Sequence, residues 1–431
     1  MKWMKMNLIL PLVLMPVITL AGCSQSSAQV DDLNLFEDSE NSDASLIVVI
    51  SDLHLGIDDS FSETVTNKAA IVSFLNQIAV SDVDELVIDG DLFDQWFVPT
   101  SYAGPADLKE FFSKVAENNI EVVDAIKSLI KDGVKVTYVP GNHDLLLTEE
   151  ILAELIPGIN QDRDVDGLGT YRTGSRSEIA IEHGHRYNTF CAPDSLSNKD
   201  ITGDYPSILP PGYFFTRVAA TSVAEGKSGA QKDLPQVTQP AADNTDQLGA
   251  YIYYQTWAGT IQRFPIQADF DDPVINVNVD GFNNSFALSD LLPTQQADGS
   301  ISAVLYANVQ ERWDTLQELN NVNVKLPYAE ATAKAQDPTY TDEQAVTQYF
   351  DVDPSVDVVV FGHTHVPIIN TFTDGYDREK VYANSGTWID ENLLGEDMTF
   401  VVIESGSDTS TVRLMQYSPD TQTASEINPA S

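Results

Sequence analysis

The sequence predicts an α/β protein built on a parallel sheet, and two observations carry that expectation. Between residues 46 and 139, apolar β-branched runs alternate with stretches of helical spacing, the order that crossover connections between parallel strands impose. All six histidines, His54, His143, His183, His185, His363 and His365, follow such a run and lie beside Gly, Asp or Asn, where α/β proteins gather their working groups. Histidine used as ordinary filler would scatter through helices and linkers.

The chain opens with Lys2 and Lys5, then the apolar stretch Leu8 to Ala21, interrupted by Pro11 and Pro16. It is too short for a comfortable membrane span and has the layout of an export signal. Its end, Leu20-Ala21-Gly22-Cys23, resembles the lipobox of bacterial lipoproteins. The resemblance implies that residues 1–22 are a signal peptide and that Cys23 carries a lipid anchor to the cell envelope. Ser24 resembles the residue found in lipoproteins sent to the outer membrane, on the periplasmic side; the alternative is an uncleaved apolar anchor. Residues 23–44, rich in Ser, Asp, Glu, Asn and Gln, read as a flexible acidic tether.

The folded body begins with the strand Leu46 to Ile50. A helix follows from Thr66 to Ala79, with Ala70, Ile71, Phe74, Leu75 and Ile78 on one face. Glu85 to Asp89 is a buried strand. Asp107 to Lys131 reads as one long helix stopped by Asp132-Gly133. Val134 to Val139 and Ile179 to Ile181 are further strands. The pattern then changes. Residues 191–350, with breaks at Pro206, Pro210 and Pro211 and clusters such as Tyr213-Phe214-Phe215, read as a mostly helical insertion that caps the body, with a helix at Val304 to Leu319. Strands resume at Val358 to Phe361, Lys380 to Ala383, Met398 to Ile403 and Thr411 to Tyr417. The body thus comprises 45–190 and 351–418, and the polar residues 419–431 are a frayed tail.

The net charge is −42, from 65 acidic and 23 basic residues. That surface repels nucleic acid and anionic membrane, so no nucleic-acid partner is expected, and the membrane is met through lipidated Cys23 rather than through the folded surface. Two cysteines cannot make a disulfide framework; with Cys23 lipidated, Cys191 is left as a single small core residue. Nothing in the sequence fixes an oligomeric state.

Five strand ends share one grammar: Asp52-Leu53-His54, Gly90-Asp91-Leu92-Phe93-Asp94, Gly141-Asn142-His143-Asp144, His183-Gly184-His185 and Gly362-His363-Thr364-His365. If they meet at one sheet edge, carboxylates, an amide oxygen and several imidazoles share a small volume, which is a reason to expect metal. Oxygen and nitrogen donors without thiolate suit Mn, Fe, Zn or Co. Two such ions about 3.5–4 Å apart would supply a bridging hydroxide as nucleophile at neutral pH.

The motifs D-x-H, G-D-x-x-D, G-N-H-D, H and G-H-x-H, in this order, resemble the calcineurin-like metallophosphoesterase superfamily. The resemblance implies a four-layer α/β/β/α sandwich and two divalent metal ions. One ion would take Asp52, His54 and His365, the other Asn142, His183 and His363, with Asp91 bridging both. His143 would donate the proton to the leaving oxygen, oriented by Asp144. Asp94 reads as a supporting residue or a helix start, His185 as supporting or substrate-facing, and Arg186 as a phosphate contact or a surface ion pair. The turn Asn384 to Thr387 reads as structural.

Asp94-Gln95-Trp96 stands where the serine/threonine phosphatases of that superfamily carry an aspartate–arginine–glycine run, which disfavours that branch. Gly90 to Trp96 instead resembles the UDP-diacylglucosamine pyrophosphohydrolases, which also insert a helical cap. Those enzymes lack the histidine kept here as His143 and act on the cytoplasmic side, so the reaction carries over and the substrate does not. The expectation is a dinuclear-metal phosphoesterase acting on a phosphomonoester or phosphodiester, as a small molecule or a lipid. The alternatives are a pyrophosphohydrolase or nucleotidase of UDP-sugar-lipid type, and a non-catalytic metal-binding surface lipoprotein.

Overall fold

A computed structural model describes residues 44–428 apart from 106, 204–206, 280–281, 308 and 376. The expected signal peptide, and the tether up to residue 43, lie outside the described residues. Among those described, no helix is long and apolar enough to cross a membrane.

The first half alternates as expected. Strand β1 (Ser45–Ile50) leads through helix α1 (Lys68–Ile78) to β2 (Glu85–Asp89), then through α2 (Leu108–Asn118) and α3 (Ile120–Asp132) to β3 (Lys135–Val139). The pairings β1 with β2 and β2 with β3 are parallel, with Val49 opposite Val87 and Val87 opposite Thr137. One long helix was expected over 107–131; two form because Asn119 interrupts it. Its side-chain amide donates to Gly56 O and Val115 O, at 2.8 and 2.7 Å, and its φ of −125° is not helical. After α4 (Glu149–Leu155) come the short strands β4 (Asn160–Gln161), β5 (Tyr171–Thr173) and β6 (Ile179–Ile181).

The insertion contains the helices Pro211–Ala224, Thr245–Arg263 and Val309–Leu319. It also contains two antiparallel pairs that went unpredicted: β7 (Ile275–Val279) with β8 (Phe282–Phe286), and β9 (Thr294–Gln295) with β10 (Ile301–Ser302). The body then closes with β11 (Val358–Phe361), β12 (Ile368–Thr373), β13 (Glu379–Asn384), β14 (Thr399–Ser405), β15 (Ser410–Ser418) and β16 (Thr423–Glu426). The last of these corrects the expected frayed tail. Tyr417 pairs with Ala424, and Ala424 is buried, so residues 423–426 are an edge strand.

Two sheets result, ordered β16-β15-β14-β1-β2-β3-β4 and β12-β13-β11-β6-β5. Period-two alternation decides what each face meets. Val48, Ile50, Leu86 and Ile88 join Phe74 and Leu75 of α1 and Ile126 and Leu129 of α3 in one core. Ile47, Val49 and Val87 form another with Ile179, Ile181, Val358 and Val360 of the second sheet. This double burial is why the strands read as continuous apolar runs rather than as alternation. On the second sheet, Ala180, Val359, Phe361 and Tyr382 share a third core with Tyr213, Trp257 and Trp313 of the insertion. The insertion is therefore packed on the body through a common apolar core.

Candidate metal centre

The parallel register brings the ends of β1 and β2 into line, and β6 and β11 of the other sheet end beside them. Local backbone then turns the side chains inward. Asp52, His54, Asp91, His363 and His365 all have positive φ, between 43° and 67°, a conformation unfavourable to side-chain-bearing residues and concentrated at functional sites. Two glycines permit the crowding. A Cβ on Gly90 would lie 2.5 Å from His183 Nδ1, and one on Gly141 would lie 2.2 Å from Asp91 Oδ1.

Five expected ligands converge. Asp52 Oδ1 lies 3.1 Å from His365 Nε2, 3.7 Å from His54 Nε2 and 3.8 Å from His183 Nε2. Asp91 Oδ2 lies 3.2 Å from His183 Nε2 and 3.6 Å from His54 Nε2. His54 and His365 face each other through Nε2 atoms 3.1 Å apart. Asp52, His54 and His365 could hold one cation, and Asp52, Asp91 and His183 a second. His363 and Asn142 line the same cavity, and the His363 ring centroid is 5.4 Å from that of His183.

The donor set fits divalent cations. Asp52 Oδ1, Asn142 Oδ1 and His183 Nε2 are buried without a hydrogen-bond partner, which a protein rarely tolerates unless something else satisfies them. The opposite end of two of the imidazoles is fixed, as is common for metal-binding histidines. His183 Nδ1 donates to Asp89 O at 2.7 Å, and His54 Nδ1 to Asp94 Oδ2 at 3.1 Å, so both Nε2 atoms turn inward. Ser51 Oγ donates to Asp52 Oδ2, which also accepts from His363 N at 3.0 Å; this leaves Oδ1 for the centre. Burial alone would lower His183, but the adjacent Asp91 and Asp52 charges overcome it and lift the ring to about 10.

The expected proton donor, His143, is oriented differently from expectation in one respect. His143 lines the cavity, but its Nδ1 donates to Asp94 Oδ1 at 2.9 Å, and Asp144 does not touch its ring. Asp144 instead accepts from Gly141 N at 2.8 Å and Leu92 N at 2.9 Å, tying two ligand loops together. A residue directly after His143 in a tight turn is aimed by the backbone amides around it. Asp94 is the carboxylate that meets the rings of both His143 and His54, braced by the amides of Trp96 and Phe97 at 2.7 and 2.8 Å. Trp96, unassigned from sequence, stacks on His143 with centroids 4.7 Å apart.

His185 is buried at 1% exposure with its centroid 5.4 Å from His183. Its Nε2 is buried without a hydrogen-bond partner, and its ring centroid also lies 6.3 Å from that of His363. Arg186 meets no phosphate position and is no surface pair. Buried at 4% exposure, it binds Glu182 at 2.7 Å, Asp164 at 3.0 Å and the carbonyls of Gly169 and Asn320 at 3.1 and 3.2 Å. Arg186→Ala leaves the Glu182 carboxylate buried and unpaired, which is expected to cost about 3–5 kcal/mol of stability. Thermal and urea unfolding of the variant check this, and an unchanged midpoint contradicts it. The Asn384 turn is structural as expected: Asn384 Nδ2 donates to Gly362 O at 2.7 Å and Thr364 Oγ1 at 3.1 Å, bracing the loop of His363 and His365.

Residues 45–208 match the family model of calcineurin-like phosphoesterases. Two curated proteins are also similar, each described as UDP-2,3-diacylglucosamine hydrolase. The one from Porphyromonas gingivalis is 31% identical over 111 residues, which is 26% of this chain and 37% of that protein. The one from Aliivibrio fischeri is 29% identical over 156 residues, 34% of this chain and 50% of that protein. The chain therefore spans half or less of the length of these relatives.

Proposed function

We propose, from the premise that the chain belongs to the calcineurin-like phosphoesterase superfamily, that it is a metal-dependent phosphoric ester hydrolase whose centre takes two divalent cations. The observation carrying this is the convergence of Asp52, His54, Asp91, His183 and His365 on one small space beside His143. Asp52, His54 and His365 would hold one cation, and Asp91, His183, Asn142 and His363 the other, with Asp52 and Asp91 facing both. Cations bound there would supply a hydroxide nucleophile at neutral pH and neutralise phosphate charge. The protein's own part is to hold the ester against the centre and manage the proton. Water is consumed: its oxygen bonds to phosphorus, the ester P–O bond breaks, and His143 protonates the leaving oxygen.

The reading as a non-catalytic metal binder is disfavoured by His143, whose ring is braced by Asp94 and Trp96 in the cavity wall beside the proposed ligands. We place the protein on the cell envelope, anchored through Cys23, on the strength of the lipobox-like sequence. Hydrolysis of an aryl phosphomonoester and an aryl phosphodiester, with Mn added or after chelation, tests the catalytic reading. Turnover that chelation abolishes and Mn restores is expected. Turnover indifferent to chelation, or absent with Mn bound, overturns it.

A further inference from the structure

The cavity at the centre is about 960 Å³, and among the described residues its walls hold no lysine or arginine. Apart from the centre itself, its charged lining is carboxylate only: Asp59, Glu63, Asp390 and Glu391. Two of these are occupied. Asp59 pairs with Lys68, and Asp390 accepts from the amides of Val65, Thr66 and Asn67. Glu63 and Glu391 have no lysine or arginine at ion-pair distance among the described residues. The insertion adds a largely apolar wall through Phe215, Val223 and Phe264, with Thr216, Thr256 and Thr260 among them, and Phe190 at the end of the body continues it. At the rim, Leu393 and Leu394 are 79% and 61% exposed, too exposed to serve the core.

A phosphoryl group at the centre has its charge met by the cations there. A second phosphate along this cavity would meet neutral donors such as Ser60, Ser62, Thr216, Thr256 and Gln336 beside the carboxylates and aromatic rings but no cationic side chain, and burying its charge uncompensated is unfavourable. We propose that the substrate carries a single phosphoryl group on an organic part that is apolar and free of negative charge, and that nucleoside diphosphates are rejected. This rests on the phosphoesterase reading above, with the same bond broken and the same proton transferred. It parts from the two relatives, whose descriptions name a UDP-linked compound.

The test uses the full chain loaded with Mn. Calorimetry with ethylphosphonate, decylphosphonate and UDP is run beside hydrolysis of the 4-nitrophenyl ethyl and 4-nitrophenyl decyl phosphodiesters. Decylphosphonate is expected to bind at least about tenfold more tightly than ethylphosphonate, since a few buried methylenes suffice for that factor, and UDP more weakly than decylphosphonate. The double substitution Leu393→Ser and Leu394→Ser is expected to lower the decyl-to-ethyl ratio. Val223→Lys puts a cation on the wall. The position is 42% exposed and lies in the last turn of Pro211–Ala224, where a cation suits the helix. UDP affinity there is expected to rise about fivefold. UDP binding as tightly as decylphosphonate, or affinity indifferent to chain length, overturns the inference while ester hydrolysis leaves the phosphoesterase reading standing. Selective decylphosphonate binding with neither ester hydrolysed does the reverse.

Discussion

Asp91→Asn is expected to empty the centre of cations and to lower ester hydrolysis by about 10³-fold or more, the scale set by several kcal/mol of charge stabilisation. Asp91 Oδ2 lies between the two groups of ligands, 3.2 Å from His183 and 3.6 Å from His54. Its other oxygen already accepts from His143 N at 2.7 Å. An amide there removes one negative charge and turns N–H donors toward the cations. The metal-free protein adds a pH signature. Burial opposes protonation of His183, but Asp91 and then Asp52 raise it to about 10, above the unfolded value of about 6.5. That proton contributes stability fully present below pH 6.5 and lost as pH rises toward 10. Cation binding needs the neutral ring and must displace the proton, so affinity should climb with pH across that window. Metal content after dialysis against Mn, and titration in buffers of differing ionisation heat, measure both effects. Two equivalents retained with wild-type turnover would sink the assignment.

The strands and the convergence of the candidate ligands were legible in the sequence for one physical reason: strands buried on both faces must be apolar throughout, and the turns ending them stand out by contrast. Leu46 to Ile50, Leu86 to Ile88 within Glu85–Asp89, Ile179 to Ile181 and Val358 to Phe361 are of this kind, and His54, Asp91, His183, His363 and His365 follow their ends. What stayed hidden depends on contacts distant in sequence. β12 has no buried residue in Ile368–Thr373 and alternates too weakly to be seen. β16 is defined by its pairing to β15 rather than by composition. The exchange of roles between Asp144 and Asp94 is the instructive case. The family resemblance assigned the role to Asp144, but the turn at Gly141 points its carboxylate at backbone amides. Asp94, 49 positions from His143, holds that ring instead, across two loops. The insertion's wall was legible only as aromatic clusters, since which rings face the cavity is decided by the fold.

His143→Ala is expected to lower kcat by about 10²–10⁴-fold, the usual worth of a positioned acid, while the cations stay bound. The ring contacts Asp94 and Trp96, and the bond from its backbone N to Asp91 survives the change. The loss should depend on the leaving group. A 4-nitrophenolate departs with little help, so an aryl ester should suffer far less than an alkyl ester, whose alkoxide needs the proton. A ligand would lose both alike, which separates the two roles in one comparison. The pH profile gives a second handle. Burial pulls the His143 pKa down, but the charges of Asp94 and Asp91 outweigh it and hold the ring above its ordinary value. The acid form therefore persists to higher pH, and alkyl-ester turnover should be present below the raised pKa and fall as pH passes through it. Asp94→Asn removes the first of those charges, so the alkaline fall should move to lower pH, with metal content measured in parallel because Asp94 also braces His54. An alkaline limb that stays in place in Asp94→Asn, or equal losses on aryl and alkyl esters in His143→Ala, would mean that the leaving oxygen takes its proton from elsewhere.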